Sequence, residues 1–217
     1  MASHHPSEAS LLQYTAGGLD AASRAVLGAH VHGCAECRQA VRLAEAVGGQ
    51  LLDGLAPETL APDALAYAMA RLDRPAPAPL PSPGTVMLDG IALPPSLHAY
   101  AGRLGRWRWV APGIRHIGLL PARRTSGGDA LYLLKLAPGT RVPEHGHGGR
   151  EMVCVLAGGY SDRFGHFGPG DLVEADEAVE HQPVADAGAA CICLVATNAP
   201  LRFRSRAARL LQPVLGF

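Results

Sequence analysis

The sequence predicts an α+β protein of two domains, in which a small helical bundle precedes a small β-barrel. The first part of the chain is rich in Ala and Leu and contains helix-capping signals. The segment RPAPAPLPSPG, residues 74–84, has five prolines in eleven residues, which neither a helix nor a central strand accepts. Short alternating apolar runs broken by Gly and Pro follow it, as in antiparallel sandwiches and small barrels. We therefore divide the chain at the proline-rich segment.

Composition narrows the class of protein. A chain of 217 residues with 48% hydrophobic residues can form packed cores. Its 19 Lys and Arg balance its 19 Asp and Glu, so the whole chain has no electrostatic signature of nucleic-acid binding. The polar start MASHHPSEAS does not resemble a signal peptide, and no apolar run reaches the ~18 residues of a membrane span. We expect a cytoplasmic protein that binds neither membrane nor nucleic acid directly.

About four short helices are expected before the proline-rich segment. Asp20 is a suitable N-cap for a helix over AASRAVLGAHVH. The next helical pattern, RQAVRLAEAV, is followed by Gly48 and Gly49, and Pro62 suits the first position of a last helix. A bundle of this size is marginally stable without reinforcement.

The segment HVHGCAEC, residues 30–37, supplies candidate metal ligands. On one continuous helix, side chains at positions i, i+4 and i+7 share a face, so His30, Cys34 and Cys37 are expected to align. His32 then falls on the far side. Two buried thiols, or a thiol redox pair, are the alternatives to a metal site.

A zinc ion in a structural site takes four nitrogen or sulfur ligands in a tetrahedron, so this segment lacks one. The nearest candidates are His4 and His5, of which we prefer His5. Structural zinc contributes an apparent ~10–16 kcal/mol, comparable with the whole ~5–15 kcal/mol stability of a domain. Its removal should therefore unfold the helical half.

A second constellation lies in GTRVPEHGHGGREMVCVLAG, residues 139–158. His145 and His147 are two apart and point to the same side of a strand. Glu151, after a Gly-Gly turn, can return a carboxylate to the same place, and His181 is the expected fourth ligand. Three imidazoles and one carboxylate suit zinc, manganese, iron or nickel.

These residues resemble the two motifs of the cupin superfamily. The first motif is matched at all its fixed positions: Gly139, His145, His147, Glu151 and Gly158. The second is matched in the spacing of Gly170 and His181. The sequence departs from it at Asp176, Ala178 and Ala185, where the family pattern has Pro, Gly and Asn. The resemblance implies a small β-barrel with a metal ion inside its mouth.

A cupin preceded by this histidine and cysteine pattern resembles the ChrR-type anti-sigma factors. The resemblance implies that one zinc ion is held by the following residues: His5, His30, Cys34 and Cys37. It implies a second ion, zinc or another divalent metal, held by these: His145, His147, Glu151 and His181. It further implies that the chain is not an enzyme. The helical domain would bind an extracytoplasmic-function sigma factor, and the cupin domain would sense singlet oxygen or organic hydroperoxides and trigger its release.

The expected domains are a zinc-binding anti-sigma domain over residues 1–74, a linker over 75–84, a cupin sensor over 85–200 and a tail over 201–217. Cys191 and Cys193 share one strand face and could lie near the second metal, although we prefer to interpret them as packed core residues. The alternative function is a metal-dependent cupin dioxygenase or a small-molecule-binding cupin. A helical zinc domain on a tether has no obvious use in a dioxygenase, so we favour the regulator.

Overall fold

Helices precede strands along the chain, and the predicted α+β class is confirmed. A computed structural model describes residues 2–72, 84–120 and 129–204. The helices are α1 (Glu8–Thr15), α2 (Ala21–Gly33), α3 (Ala35–Asp53) and α4 (Ala64–Leu72), followed by a 3₁₀-helix at Pro95–Arg103. The strands are β1 (Met87–Leu88), β2 (Ile91–Ala92), β3 (Arg108–Ala111), β4 (Ile114–Leu120), β5 (Ala130–Leu136), β6 (His145–His147), β7 (Glu151–Ala157), β8 (Tyr160–Asp162), β9 (Gly165–Phe167), β10 (Leu172–Ala175), β11 (Glu180–His181), β12 (Val184–Ala185), β13 (Cys191–Thr197) and β14 (Leu201–Phe203).

The helix ends follow local capping rules. Asp20 caps α2 as predicted, because its carboxylate accepts the backbone N–H of Ser23 at 2.7 Å. Helix α3 continues through Gly48 and Gly49 and ends only at Asp53. Helix α4 begins at Ala64, just after the predicted start at Pro62.

The predicted continuous helix through residues 30–37 is wrong. Cys34 has an extended backbone, with φ −101° and ψ 116°, and stands between α2 and α3. Its thiol accepts the backbone N–H of Cys37 at 3.5 Å and so caps α3 in the way that Ser or Asp usually does. The two helices therefore meet at a corner formed by Cys34.

The largest sheet is antiparallel, with the strand order β10-β7-β13-β5-β4-β3. Two three-stranded sheets, β11-β6-β14 and β12-β8-β9, and the hairpin β1-β2 complete the strands that the structure describes. One face of the large sheet packs on side chains of the smaller strands, including Tyr160, Phe167 and Ala185. This packing forms the interior of the β-rich half.

The other face of the large sheet is covered by helix α2. Val26 and Leu27 of α2 belong to the same buried apolar cluster as Leu119 and Met152 of the sheet. Because both faces are covered, six of the seven residues of β13 are buried. The helical and β-rich halves thus share one hydrophobic cluster.

Most of the predicted linker, residues 75–83, and most of the predicted tail, residues 205–217, lie outside the described residues. The domain boundaries in those regions stay predictions. Among the helices described, none has both the length and the apolar character that crossing a bilayer requires.

Candidate metal centres

The N-terminal cluster joins four residues from three parts of the chain. His5 lies in the extended segment before α1, and His30 lies in the last turn of α2. Cys34 stands at the corner, and Cys37 is in the first turn of α3. Their donor atoms lie within 4.8 Å of one another. The three candidate ligands of the HVHGCAEC segment therefore converge from two helices, not from one helix face.

The separations in this cluster fit a tetrahedral ion. Bonds of about 2.0–2.1 Å to nitrogen and about 2.3 Å to sulfur require nitrogen–sulfur separations of about 3.5 Å in a tetrahedron. His5 Nδ1 lies 3.5 Å from Cys34 Sγ and 3.4 Å from Cys37 Sγ. His30 Nε2 lies 3.2 Å from Cys37 Sγ. Two imidazoles and two thiols at these distances form a site suited to a metal ion.

Burial governs the ionisation of this cluster. Burial lowers the pKa of His30, so its imidazole is neutral near pH 7 and can offer a lone pair. Burial, together with the neighbouring Cys34 thiol, raises the pKa of Cys37 to about 12. A thiol with this pKa is protonated at neutral pH, and both metal binding and redox chemistry require the loss of that proton. Coordination to a cation would stabilise the thiolate.

Residues of the β-rich half form hydrogen bonds with the N-terminal cluster and with the segment that leads into it. His30 Nδ1 lies 2.7 Å from the carbonyl oxygen of Gly170 and donates to it when Nε2 faces the cysteines. Asp171 Oδ1 accepts the backbone N–H groups of Ser3 and His4, at 2.5 and 3.0 Å. These hydrogen bonds therefore hold the N-terminal segment, which carries His5, against the turn that precedes β10.

The structure distinguishes the N-terminal histidines. His5 turns its Nδ1 toward the two thiols, whereas the ring of His4 packs on Phe167, with 4.5 Å between centroids. His4 Nδ1 lies 3.4 Å from Asp171 Oδ2. His32 is exposed, away from the cluster. The structure thus brings His5 and not His4 to the candidate site.

The second cluster lies inside the β-rich half. His145 and His147 are at the two ends of β6, with both side chains buried on the same side as predicted. Glu151 begins β7, and His181 pairs directly with His145 across strands β11 and β6. The four donor atoms lie within 4.8 Å of one another.

Each imidazole of this cluster is held through its Nδ1 atom. His145 and His147 lie 2.8 and 2.9 Å from backbone carbonyl oxygens, those of Pro143 and Val179. His181 Nδ1 instead lies 2.8 Å from a carboxylate oxygen of Asp162. Protons on Nδ1 leave the Nε2 lone pairs free to face the centre of the cluster.

The inward atoms are arranged for a cation. His145 Nε2 and His181 Nε2 lie 3.1 Å apart. His147 Nε2 is buried and lies 3.2 Å from Glu151 Oε2. Burial alone would raise the pKa of Glu151, but the hydrogen bond and charge of His147, together with His145 and His181, outweigh it and hold that pKa below its ordinary value. Three imidazoles and a carboxylate that face one another form a donor set that suits a divalent metal ion.

A cavity of about 70 Å³ adjoins the second cluster. Its wall is mostly apolar and also includes Tyr132, Tyr160 and Cys193. Burial raises the pKa of both tyrosines, so their hydroxyls are protonated at neutral pH. The cavity suits a small uncharged molecule.

The cysteines of β13 are buried, with 3.5 Å between Cys191 Sγ and Cys193 Sγ. The hydrogen bond with Cys191, together with burial, raises the pKa of Cys193 well above its ordinary value. Cys193 is a packed residue that also lines the cavity beside the second cluster.

Two carboxylates, Asp162 and Asp171, were missed by the sequence analysis. Asp162 supports a histidine of the second cluster, and Asp171 holds the segment that carries a histidine of the first. Each partner is distant in sequence, so no local spacing marks either residue. Their only signal is an acidic residue beside an apolar strand, which is common.

Comparisons with known proteins agree with both halves of the chain. A family model described as ChrR Cupin-like domain matches residues 103–200. The chain is 42% identical over 218 residues to the Anti-sigma-E factor ChrR of Cereibacter sphaeroides, covering 97% of this chain and 96% of that protein. It is also similar to a solved chain from the crystal structure of Rhodobacter sphaeroides SigE in complex with the anti-sigma ChrR. That match has a TM-score of 0.75 and 36% identity, and covers 91% of this chain and 99% of the other.

Proposed function

Because this chain belongs to the ChrR family of anti-sigma factors, we propose that it sequesters an extracytoplasmic-function sigma factor and releases it under oxidative stress. The chain is a regulatory protein and not an enzyme. The observation that carries the proposal is the 42% identity to an anti-sigma factor across 97% of the chain.

The surface that we assign to sigma binding lies on helices α3 and α4. We call it the α3–α4 surface, and its residues are Leu43, Val47, Leu51, Leu65, Met69 and Leu72. Leu51 is 70% exposed and Leu65 is 75% exposed. All nine residues of α4 are described, and none of them is buried. Apolar side chains at helical spacing, left in water, are typical of a surface that a partner protein covers.

The metal ion of the N-terminal cluster is proposed to be structural zinc. Its four ligands would close a tetrahedral site and leave no position for a substrate. The ion would hold the N-terminal segment against the corner between α2 and α3, from which the α3–α4 surface projects.

The second cluster is proposed as the sensor of singlet oxygen or an organic hydroperoxide. The bound ion, zinc or another divalent metal, would supply a Lewis acid beside the cavity. Its four protein ligands would hold it, while the mostly apolar wall would exclude water and admit a small uncharged oxidant. Oxidative damage at this site would then change how the two halves pack.

One contact between the halves supports this route. Arg150, the neighbour of Glu151, donates to the carboxylate of Asp20 at 3.2 Å and to the hydroxyl of Ser23 at 3.4 Å. Asp20 caps α2, whose other end carries His30. A displacement of Glu151 would therefore move Arg150 and disturb its hydrogen bonds to the N-terminal end of α2.

Purification of the tagged chain from its native host tests the binding role. The wild type should bring down a sigma factor, with two zinc ions per chain by metal analysis if both sites hold zinc. The variant with Leu51→Asp and Leu65→Asp should lose the sigma factor, because the loss of an interface hot spot costs about 2 kcal/mol or more, roughly 30-fold in affinity, and an unpaired buried carboxylate adds to that cost. Trp109→Asp is the matched control, since Trp109 is 66% exposed on the β-rich half. Failure of the wild type to recover any sigma factor would refute the proposal.

The same purification, repeated after oxidant treatment, tests the sensing role. His145→Ala and Glu151→Gln should still bind the sigma factor but retain it under an oxidant that frees it from the wild type. Normal release by these variants would show that the second cluster is not the sensor.

A further inference from the structure

Asp162 ends strand β8 in a buried position beside the second cluster. Its side chain is 1% exposed, and its Oδ2 atom lies 2.8 Å from His181 Nδ1. Its Oδ1 atom accepts the backbone N–H of Phe164 at 2.7 Å. The carboxylate is therefore fixed from two sides, and one oxygen is aimed at a single ring nitrogen.

This carboxylate distinguishes His181 from the other two histidines of the cluster. His145 and His147 use neutral backbone carbonyls for the same purpose. A carbonyl fixes the ring and its tautomer, whereas a carboxylate also increases the electron density on the ring and so strengthens its bond to a metal ion. A charge-assisted hydrogen bond of this kind is also roughly twice as strong as a neutral one.

Charge balance gives Asp162 a second role. A divalent ion bound by three neutral imidazoles and the Glu151 carboxylate would leave one net positive charge in a buried site. An uncompensated buried charge is costly in free energy. The carboxylate of Asp162 contacts the ligand His181 and not the ion itself. Its negative charge would bring the net charge of the site to zero.

We infer that Asp162 is a positioning residue of the second metal centre, which holds His181 with Nε2 toward the ion and balances the charge of the site. The inference rests on the proposal that this cluster binds a divalent metal. It adds a fifth functional side chain to the four ligands.

Asp162→Asn in the full chain tests the inference, because it preserves the size of the side chain and an acceptor but removes the charge. Zinc affinity of the second site, measured by competition with a chelator, should fall about 10–100-fold. Cobalt substitution separates the two sites, because only the N-terminal site has thiolates and a thiolate-to-cobalt charge-transfer absorption. That absorption should stay unchanged in the variant, while the remaining cobalt bands shift.

The matched control is Asp186→Asn. Asp186 forms a similar pair, 2.9 Å from His166 Nε2, but the side chains are 39% and 58% exposed and lie outside the cluster. Asp162→Glu, which restores the charge, should recover a large part of the lost affinity. Equal losses in the Asn and Glu variants would indicate packing alone and overturn the inference, as would wild-type affinity in Asp162→Asn.

The unmodified protein offers an independent measurement if Asp162→Asn does not fold. In the zinc-loaded chain, the Nδ1 proton of His181 should resonate further downfield than those of His145 and His147, because its acceptor is charged. Equal shifts would overturn the inference. A wild-type chain that binds one ion, at the N-terminal site only, would instead refute the proposed second metal centre.

Discussion

Asp171 shows how one side chain can join the two halves of this molecule. Beyond Ser3 and His4, its carboxylate accepts the backbone N–H of Gly168 at 2.8 Å. Burial alone would raise the pKa of Asp171, but these N–H donors outweigh it and hold the pKa below its ordinary value. A single carboxylate therefore fixes both its own turn and the N-terminal segment that carries His5.

Asp171→Ala should loosen the N-terminal segment and weaken zinc binding at the proposed first metal site. The loss of hydrogen bonds to a charged acceptor costs about 1.5–3 kcal/mol each, so amide exchange at Ser3 and His4 should accelerate and zinc should pass to a chelator faster. Glu174→Ala is the control, because among the described residues Glu174 makes a single long hydrogen bond to this segment, with the Ser7 N–H at 3.4 Å. Unchanged exchange and zinc loss in Asp171→Ala would contradict this account.

At the residue scale, sequence spacing predicted the placement of candidate ligands where they share one element. His145 and His147 lie on one strand, whose side-chain alternation fixes their direction. The corner at Cys34 was not predictable in the same way, because Cys is not among the preferred N-caps. Asp162 and Asp171 act across long sequence separations, which only the folded topology brings together.

At the element scale, α3 is a long helix with little support. Of its 19 residues, only Cys37 and Val41 are buried. The helix nevertheless continues through Gly48 and Gly49, where each glycine reduces helix stability by about 0.5–1 kcal/mol relative to Ala. Nothing among the described residues lies within 4 Å of a Cβ added at either position.

Gly48→Ala with Gly49→Ala should therefore stabilise the second half of α3 by about 1–2 kcal/mol. Amide exchange of residues 46–53 should slow by roughly 5- to 30-fold, which is that free energy expressed as a ratio. Ala40→Gly, in the same helix, should have the opposite effect. Faster exchange in the double Ala variant would contradict this prediction. It would show that the two positions require glycine for a reason that the contacts of the isolated chain do not reveal.

At the scale of the whole molecule, the two halves are joined by packing as well as by the proline-rich segment. The capping and alternation signals predicted helices and strands well, because each reflects local backbone chemistry. They did not predict that α2 lies on the sheet. Nine of the thirteen residues of helix α2 are buried, and most of these nine are small. The helix therefore lacks the polar face of a surface helix.

Leu27→Ala tests whether the halves unfold together. Leu27 of α2 is fully buried, and its truncation should cost about 2–5 kcal/mol. Both tryptophans, Trp107 and Trp109, lie in the β-rich half, so a lower unfolding midpoint by tryptophan fluorescence would report coupling across the sheet. Leu43→Ala, at an exposed position of α3, should change it little. A shift seen by helical circular dichroism but not by fluorescence would mean that the halves unfold separately.

The close approach of α2 to the 3₁₀-helix has an evolutionary consequence. A Cβ at Gly28 would come within 3.1 Å of Ser96 Cβ, so the spacing between the two elements depends on the absence of a side chain. Exchanging either half for that of a distant homologue would bring together surfaces that had not diverged as a pair. We expect substitutions at these two positions to be inherited together, and recombination between halves to succeed only among near relatives.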